Sequence, residues 1–285
     1  MLRLLFLSYG QGLHQQEVIC AVHSILHCGG SGIPFQIVIY TDEPDIFRDL
    51  PVTLHLVTPQ QWREWGGPKN FNHRRKILAL QHLLNQCTDP VVLLDGDTWF
   101  RGSLQTLQER IGPGRSVMHI QEGKVSEVRT PLYQELHRLL QNESEIQDLG
   151  ISAETWMWNA GVIGLHPSDL PLLDEVLVIT DRLCEVSSLH ILEQFAFSWV
   201  LQTRLQLSEA ADLVFHYWPP YLHKPFRKLL PDLMQRAAAI PAEQRAGFLY
   251  RHRPRPGVFR RGKVVVKRML QWLGILTGYC RSNEW

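Results

Sequence analysis

The sequence predicts an α/β protein built on a mixed, mainly parallel sheet flanked by helices. Three observations lead there. Apolar strand-like runs at 2–7, 35–40, 52–57 and 91–94 alternate with helical segments through the first hundred residues. The run Val91-Val92-Leu93-Leu94 is continuously apolar, as in a strand covered on both faces. It ends in Asp95-Gly96-Asp97, and the crevice beyond the carboxyl ends of parallel strands is where such sheets bind ligands.

Residues 2–7 form the first strand and end at Ser8-Tyr9-Gly10. Their apolar stretch is too short for the core of a secretion signal, and no small-residue cleavage site follows. Residues 15–27 carry Val18, Ile19, Val22, Ile25 and Leu26 at helical spacing, stopped by Cys28-Gly29-Gly30. The glycines of Gly29-Gly30-Ser31-Gly32 follow a helix and precede a strand, the reverse of a phosphate loop, so they read as a helix stop. The strand at 35–40 ends at Thr41-Asp42, and 52–57 is a third strand. Over 76–84, Ile77, Leu80 and Leu84 share one helical side. Beyond the aspartates come a strand at 117–120, an amphipathic helix at 131–140 and an apolar segment at 156–165 with one polar interruption. Helices at 170–186 and 192–201 and a short strand at 213–216 follow. From Pro219 onward prolines and basic residues multiply, which places the end of the compact layer near 220.

With 285 residues, 45% hydrophobic and 20% charged, the chain has material for one large domain or a domain with an appendage. Its 29 basic and 28 acidic residues give net +1, so no whole-chain charge favours nucleic acid. Cys20, Cys28, Cys87, Cys184 and Cys280 are odd in number and irregularly spaced. They predict free thiols in a reducing, cytoplasmic compartment rather than a disulfide framework or zinc site. No apolar run reaches the roughly 18 residues that span a bilayer.

Two carboxylates at the end of a buried strand each cost several kcal/mol unless a cation meets them. A divalent ion carrying a phosphorylated ligand would do so, since hard oxygen ligands suit Mg²⁺ or Mn²⁺. Asp-Gly is also a common turn dipeptide. Here it is followed by Thr98-Trp99-Phe100 rather than by a second alternating strand, which favours the ligand site. Asn159, inside the apolar 156–165 segment, needs hydrogen-bond partners. Gly161 suits a close backbone approach or a bulge. Glu193-Gln194 opens an apolar helix, where the helix dipole favours an acid in a solvated first turn. His216 ends a short apolar strand, and Lys224 follows eight residues later.

In this order the pieces resemble the GT-A glycosyltransferases, most closely the glycogenin-like and bacterial lipopolysaccharide galactosyltransferase-like family. The resemblance covers residues 1–226 and rests on Leu93-Leu94-Asp95-Gly96-Asp97, Trp158-Asn159-Ala160-Gly161-Val162, Glu193-Gln194, and His216 with Lys224-Pro225-Phe226. It implies a Rossmann-like GT-A sheet and transfer of a sugar from a nucleotide-diphosphate sugar, UDP favoured, to a saccharide, lipid-linked or protein acceptor. By position, Asp95, Asp97 and His216 would hold Mn²⁺ or Mg²⁺ on the diphosphate. Asn159 and Gln194 would contact the donor sugar at the reacting centre, and Lys224 a phosphate. Arg75 and Lys76 are both candidates for a basic contact to nucleotide or sugar, and Tyr9 for the nucleobase or ribose.

Two departures accompany the resemblance. Glu193 stands where the family usually has aspartate, and no glycine lies between His216 and Lys224. The expected organisation is a catalytic domain at 1–225, divided into a nucleotide-binding half (1–100) and a donor-sugar and acceptor half (101–225), followed by a Pro/Arg-rich segment at 226–285. Retention of anomeric configuration would follow the family, with Glu154 or Glu193 as base in an inverting alternative. A haloacid-dehalogenase-type phosphatase would need a threonine where Trp99 stands. A nucleotidyltransferase would need a Gly-rich loop after the first strand. A non-catalytic binding protein on the same scaffold is the remaining rival.

The basic character concentrates at the C-terminus. Val265, Val266, Met269, Leu270, Trp272, Leu273 and Leu276 form an apolar stripe opposite Lys263 and Lys267. A helix at 257–277 could lie on a membrane surface, where anionic headgroups would add about 1 kcal/mol per basic residue. Docking of the stripe back onto the domain is the alternative.

Overall fold

The computed structural model describes residues 1–29 and 32–255. The stripe expected at 257–277 lies outside them. Among the described residues the strands are β1 (Leu2–Ser8), β2 (Phe35–Thr41), β3 (Thr53–Leu56), β4 (Val91–Leu94), β5 (Thr98–Phe100) and β6 (Arg115–Met118), then β7 (Gln121–Lys124), β8 (Trp156–Trp158), β9 (Val162–Leu165), β10 (Gln206–Glu209) and β11 (Val214–His216). Seven of them form one sheet in the order β10-β6-β9-β4-β1-β2-β3. β1 pairs in parallel with β2 and β4, and β6 in parallel with β10. β9 runs antiparallel between β4 and β6, so the sheet is mixed.

That insertion explains the long apolar segment at 156–165. It is two strands, β8 and β9, turning at Asn159-Ala160-Gly161. β9 is buried along its length, and Gly164 is where neighbours close in. A Cβ there would stand 2.6 Å from both Ile111 Cδ1 and Val117 Cγ2.

The helices are α1 (Leu13–Cys28), α2 (Pro59–Gly66), α3 (Arg74–Leu84), α4 (Leu104–Glu109), α5 (Pro131–Asn142), α6 (Leu172–Val186), α7 (Leu192–Arg204), α8 (Pro220–Ala238) and α9 (Ala242–Arg251). Alternation along the strands divides the core. Leu5, Val91 and Leu93 face Ile77, Leu80, Leu83, Val176 and Phe195 from α3, α6 and α7. Leu4, Phe6, Val92 and Leu94 face Val18, Val22 and Ile25 of α1. Each fully buried Leu or Val contributes about 1.5–3 kcal/mol, and β4 supplies four such residues. This explains the unbroken apolar run before the aspartates. The helix starts are also local: Thr58 and Thr130 cap α2 and α5 through Gln61 N–H and Tyr133 N–H, with proline next in each case.

Two expectations need correction. Thr98-Trp99-Phe100 is a strand, but it pairs with β11 rather than folding back on β4. The Asp-Gly-Asp segment therefore joins two different sheets and is not a hairpin turn. The compact body also does not end near 220. α8 runs through the expected 225/226 division and contains Pro225 and Pro231. Each proline removes one i→i−4 hydrogen bond. The helix persists because Leu222, Phe226, Leu230, Leu233 and Ala237 recur every three or four residues and pack with Cys20, Trp99 and Tyr217. Among the described residues no helix is long and apolar enough to cross a membrane.

Three histidines, His23 and His119 buried and His73 half-buried, set an acid limit on this fold. Burial pushes His23 and His73 down to about 4, helped by Arg245 and Lys76 respectively, and pushes His119 to about 3, helped by His216. Unfolding releases them to an ordinary value of 6.5, so the unfolded chain binds more protons below that pH and stability falls. Glu193, raised to about 7, acts oppositely as pH rises from 4.5, and Asp169 is raised as well, but burial also lowers His55 and His82, so the histidines prevail. Urea midpoints should therefore drop steadily as pH is lowered from about 6.5 towards 4. A flat profile would mean that these imidazoles are hydrated in the folded state.

Candidate active site

The site begins where β4 runs out of apolar residues. Asp95 N–H donates to Gly161 O at 3.0 Å, which continues the β4–β9 pairing by one residue. Thr98 Oγ1 donates to Asp95 O at 2.7 Å and closes the turn. Gly96 passes over α1, where a Cβ would stand 3.0 Å from Val18 Cγ2. In the β5–β11 ladder Thr98 faces His216, and Tyr217 N–H donates to Asp97 O at 3.0 Å. The imidazole consequently reaches Asp97, with Nε2 3.0 Å from Oδ1. One ligand atom from each of Asp95, Asp97 and His216 lies within 4.8 Å of the other two.

Each acid has its own cation. Lys76 Nζ lies 2.8 Å and 2.9 Å from the two Asp95 oxygens and 3.7 Å from Glu193 Oε1. Burial works against the ammonium, but Asp95 first and Glu193 second outweigh it and hold the lysine above its ordinary value. Burial would likewise raise Asp97, yet His216 beside it brings the carboxyl down to about 2. His216 is only 6% exposed; burial lowers it and Asp97 more than restores it, leaving it raised.

The structure separates the two adjacent basic candidates. Lys76 enters the carboxylate cluster. Arg75 turns away to Trp62 O, Asn70 Oδ1 and Asn72 Oδ1, and its guanidinium lies 4.6 Å from the centre of the Tyr9 ring. Tyr9, at the end of β1, also meets Trp62 at 4.7 Å. Asn159 and Gln194 come together on a residue that the sequence did not single out. Asn159 Nδ2 donates to Glu122 Oε1 at 3.1 Å, and Gln194 Nε2 donates to Glu122 Oε2 at 2.9 Å.

Lys224 is exposed on α8. The α8 residue that faces Asp97 is its neighbour His223, with Nε2 3.9 Å from Asp97 Oδ2 and 2.9 Å from Glu17 Oε1. Arg227, one turn later, lies 3.3 Å from Glu17 Oε2. Glu193 is not the solvated first-turn acid expected from the sequence. It is 2% exposed, and burial raises its carboxyl to about 7 against the pull of Lys76. Glu154 is exposed and bonded to Lys124 at 3.2 Å. Trp99 is 1% exposed and packs edge-on to Phe226, so the position a phosphatase would need for a hydroxyl belongs to the core.

Glu17 carried a detectable signal, an acid amid the apolar positions of the first helix. Glu122 carried none, since it sits on a short strand without alternation.

No protein-family model and no curated protein matches the chain. Solved structures do. The apo structure of WbbM, a bifunctional glycosyltransferase, aligns at a TM-score of 0.51 and 12% identity, over 73% of this chain and 39% of that one. The galactosyltransferase LgtC, solved with donor and acceptor sugar analogs, aligns at 0.53 and 14% identity, over 85% of this chain and 99% of that one. The fold is GT-A. This chain thus spans well under half of the bifunctional protein but nearly all of the galactosyltransferase. Within the GT-A fold, the Asp95–Asp97–His216 cluster sits at the carboxyl end of a central strand, in the crevice where open α/β sheets bind ligands.

Gly161 is the tightest point of the cluster. A Cβ on it would stand 2.2 Å from His216 Nδ1 and 2.3 Å from Cε1, a distance no packed atoms tolerate. Gly161→Ala should therefore displace the imidazole and destabilise the protein by about 1–3 kcal/mol. Thermal unfolding at the wild-type temperature would show that the ring does not pack on this glycine.

Proposed function

We propose that the chain is a metal-dependent glycosyltransferase that moves a sugar from a nucleotide-diphosphate sugar, UDP favoured, to a saccharide, lipid-linked or protein acceptor. The observation that carries this reading is the convergence of Asp95, Asp97 and His216 in the ligand crevice of a GT-A fold. Two carboxylates and an imidazole are a donor set that Mn²⁺ or Mg²⁺ accepts. The set is also oriented for an ion, because His216 Nδ1 is engaged by Asn159 Oδ1 at 2.8 Å and Nε2 is the nitrogen left facing the carboxylates. When bound there, such an ion would act as a Lewis acid on the departing diphosphate.

The chain's own residues account for the rest. Lys76 keeps a positive charge beside Asp95, where the leaving group's negative charge develops. Tyr9, with Arg75 against its ring, forms a floor at the end of β1 suited to a nucleobase or ribose. Gln194 gives its nitrogen to Glu122, which leaves its Oε1 as the end for a donor-sugar hydroxyl or the anomeric carbon. Asn159 supports His216. His223 faces Asp97 from α8, beside the position where the resemblance placed Lys224. Cys20, Cys28, Cys87 and Cys184 are all free thiols, which suits a cytoplasmic setting.

The test is donor hydrolysis across several UDP- and GDP-sugars, with Mn²⁺ and with chelator. Asp95→Ala, Asp97→Ala and His216→Ala should each lose at least about a hundredfold in rate, roughly 2.7 kcal/mol of transition-state stabilisation. Undiminished turnover in chelator would remove the metal from the mechanism. If wild-type protein hydrolyses none of the donors, the non-catalytic binding protein becomes the better reading.

A further inference from the structure

We propose that the acceptor is a neutral saccharide, seated in a polar cavity between the segments that lead into α3 and α7. The inference rests on the transferase reading above and deepens it by choosing among its three acceptor classes.

The cavity measures about 730 Å³, inside the range of small-ligand sites. Lys69 and His73 bound it ahead of α3, Glu135 on α5, Glu185 at the end of α6, and His190 ahead of α7. Its place follows from the two helix starts. Lys76 N–H donates to His73 O at 3.1 Å, so His73 stands one turn before the lysine that meets Asp95. His190 stands three residues before Glu193, and Lys76 and Glu193 approach to 3.7 Å. The two segments therefore run side by side next to the carboxylate cluster, with Gln194 just beyond them. A ligand held here abuts the place that the transferase reading gives to the donor sugar.

The lining decides the class. Sites for apolar ligands are walled mostly by hydrophobic and aromatic side chains, whereas only Phe71, Cys184 and Val186 are apolar here. A lipid chain would find little to bury. The polar ends are also uncommitted. Among the described residues, the side chains of Lys69, His73, Glu135, Glu185 and His190 make no hydrogen bond or ion pair. Asn70 and Asn72 each give their side-chain oxygen to Arg75, which leaves two amide nitrogens as donors. Such a mixture of donors and acceptors matches neighbouring hydroxyls on a sugar ring, each of which can both donate and accept. Phe71, edge-on to His73 at 5.5 Å, supplies an aromatic surface for the C–H face of the same ring. A serine or threonine of a protein acceptor would engage one or two of these groups and leave the rest unmatched. A lipid phosphate would meet two carboxylates and one ammonium, a like-charge clash that rejects it.

The test is saturation-transfer NMR on the full-length protein, with methyl glycosides of neutral hexoses and N-acetylhexosamines and with neutral disaccharides. A short polyprenyl phosphate and a serine-rich peptide stand for the other two classes. At least one neutral saccharide should bind, and the phosphate and the peptide should not compete with it. Glu135→Ala and His190→Ala should each weaken that binding by about fivefold, the loss of a hydrogen bond or two. Ser188→Trp, which adds bulk at an exposed position of the wall, should abolish it. Leu229→Trp adds the same bulk on α8, where the side chain is 60% exposed, and should change nothing. Thermal unfolding of each variant at the wild-type temperature establishes that the fold is kept. The proposal is overturned if no neutral saccharide binds, if the polyprenyl phosphate or the peptide displaces it, or if all three cavity variants bind as wild type does. Because binding needs no donor, a protein that holds a saccharide here yet hydrolyses no nucleotide-sugar would refute the transferase and leave this site standing. Donor hydrolysis by a protein that binds no saccharide would do the reverse.

Discussion

Asp95 and Asp97 leave a strand that is buried on both faces, and the surrounding structure is arranged so that neither charge stands alone. Removing one partner of such a half-buried pair is costly, because the other charge is left in a poorer solvent than water. Lys76 answers Asp95 from α3, and His216 answers Asp97 from β11. The lysine also lies near Glu193, so one ammonium serves two acids. Asp95 has the shorter contact. Glu193 keeps a buried oxygen without a hydrogen-bond partner and is raised to about 7.

The residues that meet these charges are far apart in the chain, and the sheet topology assembles them. β9 enters antiparallel beside β4 and brings Asn159-Ala160-Gly161 to the aspartates, with Ala160 O 3.4 Å from Lys76 Nζ. β5 then leaves the main sheet to pair with β11, which sets His216 against Asp97. Both strands must approach closely, and Gly161 is the point where they do. A side chain there would occupy the space of the imidazole. The parallel strands β1, β2 and β4 shape the crevice, while the antiparallel ones complete its chemistry.

This division explains what the sequence made legible. Strands buried on both faces announce themselves as apolar runs, so β1, β2 and β4 were readable, as were the acids that break the last of them. The choice between Arg75 and Lys76 was not readable. Each stands four residues before a buried position of α3, Ala79 for Arg75 and Leu80 for Lys76, so helical phase does not separate them. Only the tertiary position of β4 sends Lys76 to Asp95. Glu193 was misread for a related reason: an acid in a first helical turn is ordinary on a surface, and nothing local signals that α7 begins inside the protein. α8 was obscured by Pro225 and Pro231, which speak against a helix locally, while the stripe from Leu222 to Ala237 outweighs them once α1 and Trp99 are in place. Glu122 depends entirely on three partners from other elements.

The missing glycine between His216 and Lys224 has a structural counterpart in α8. A glycine-containing loop would let the chain wander between the strand and a distant lysine. Here Tyr217 is buried directly after β11, and a helix starts at Pro220. Helical geometry then fixes which side chains return to the site. His223 and Arg227, four residues apart, share one face, and both reach Glu17, a buried acid on α1. The neighbouring Lys224 points away to solvent. Glu17 would be costly to bury without those two partners, and His223, which meets it from α8, also lies 3.9 Å from Asp97. The packing of α8 on α1 and the charge balance at Asp97 are therefore coupled through one buried glutamate, which ties the helix beyond residue 220 to the site itself.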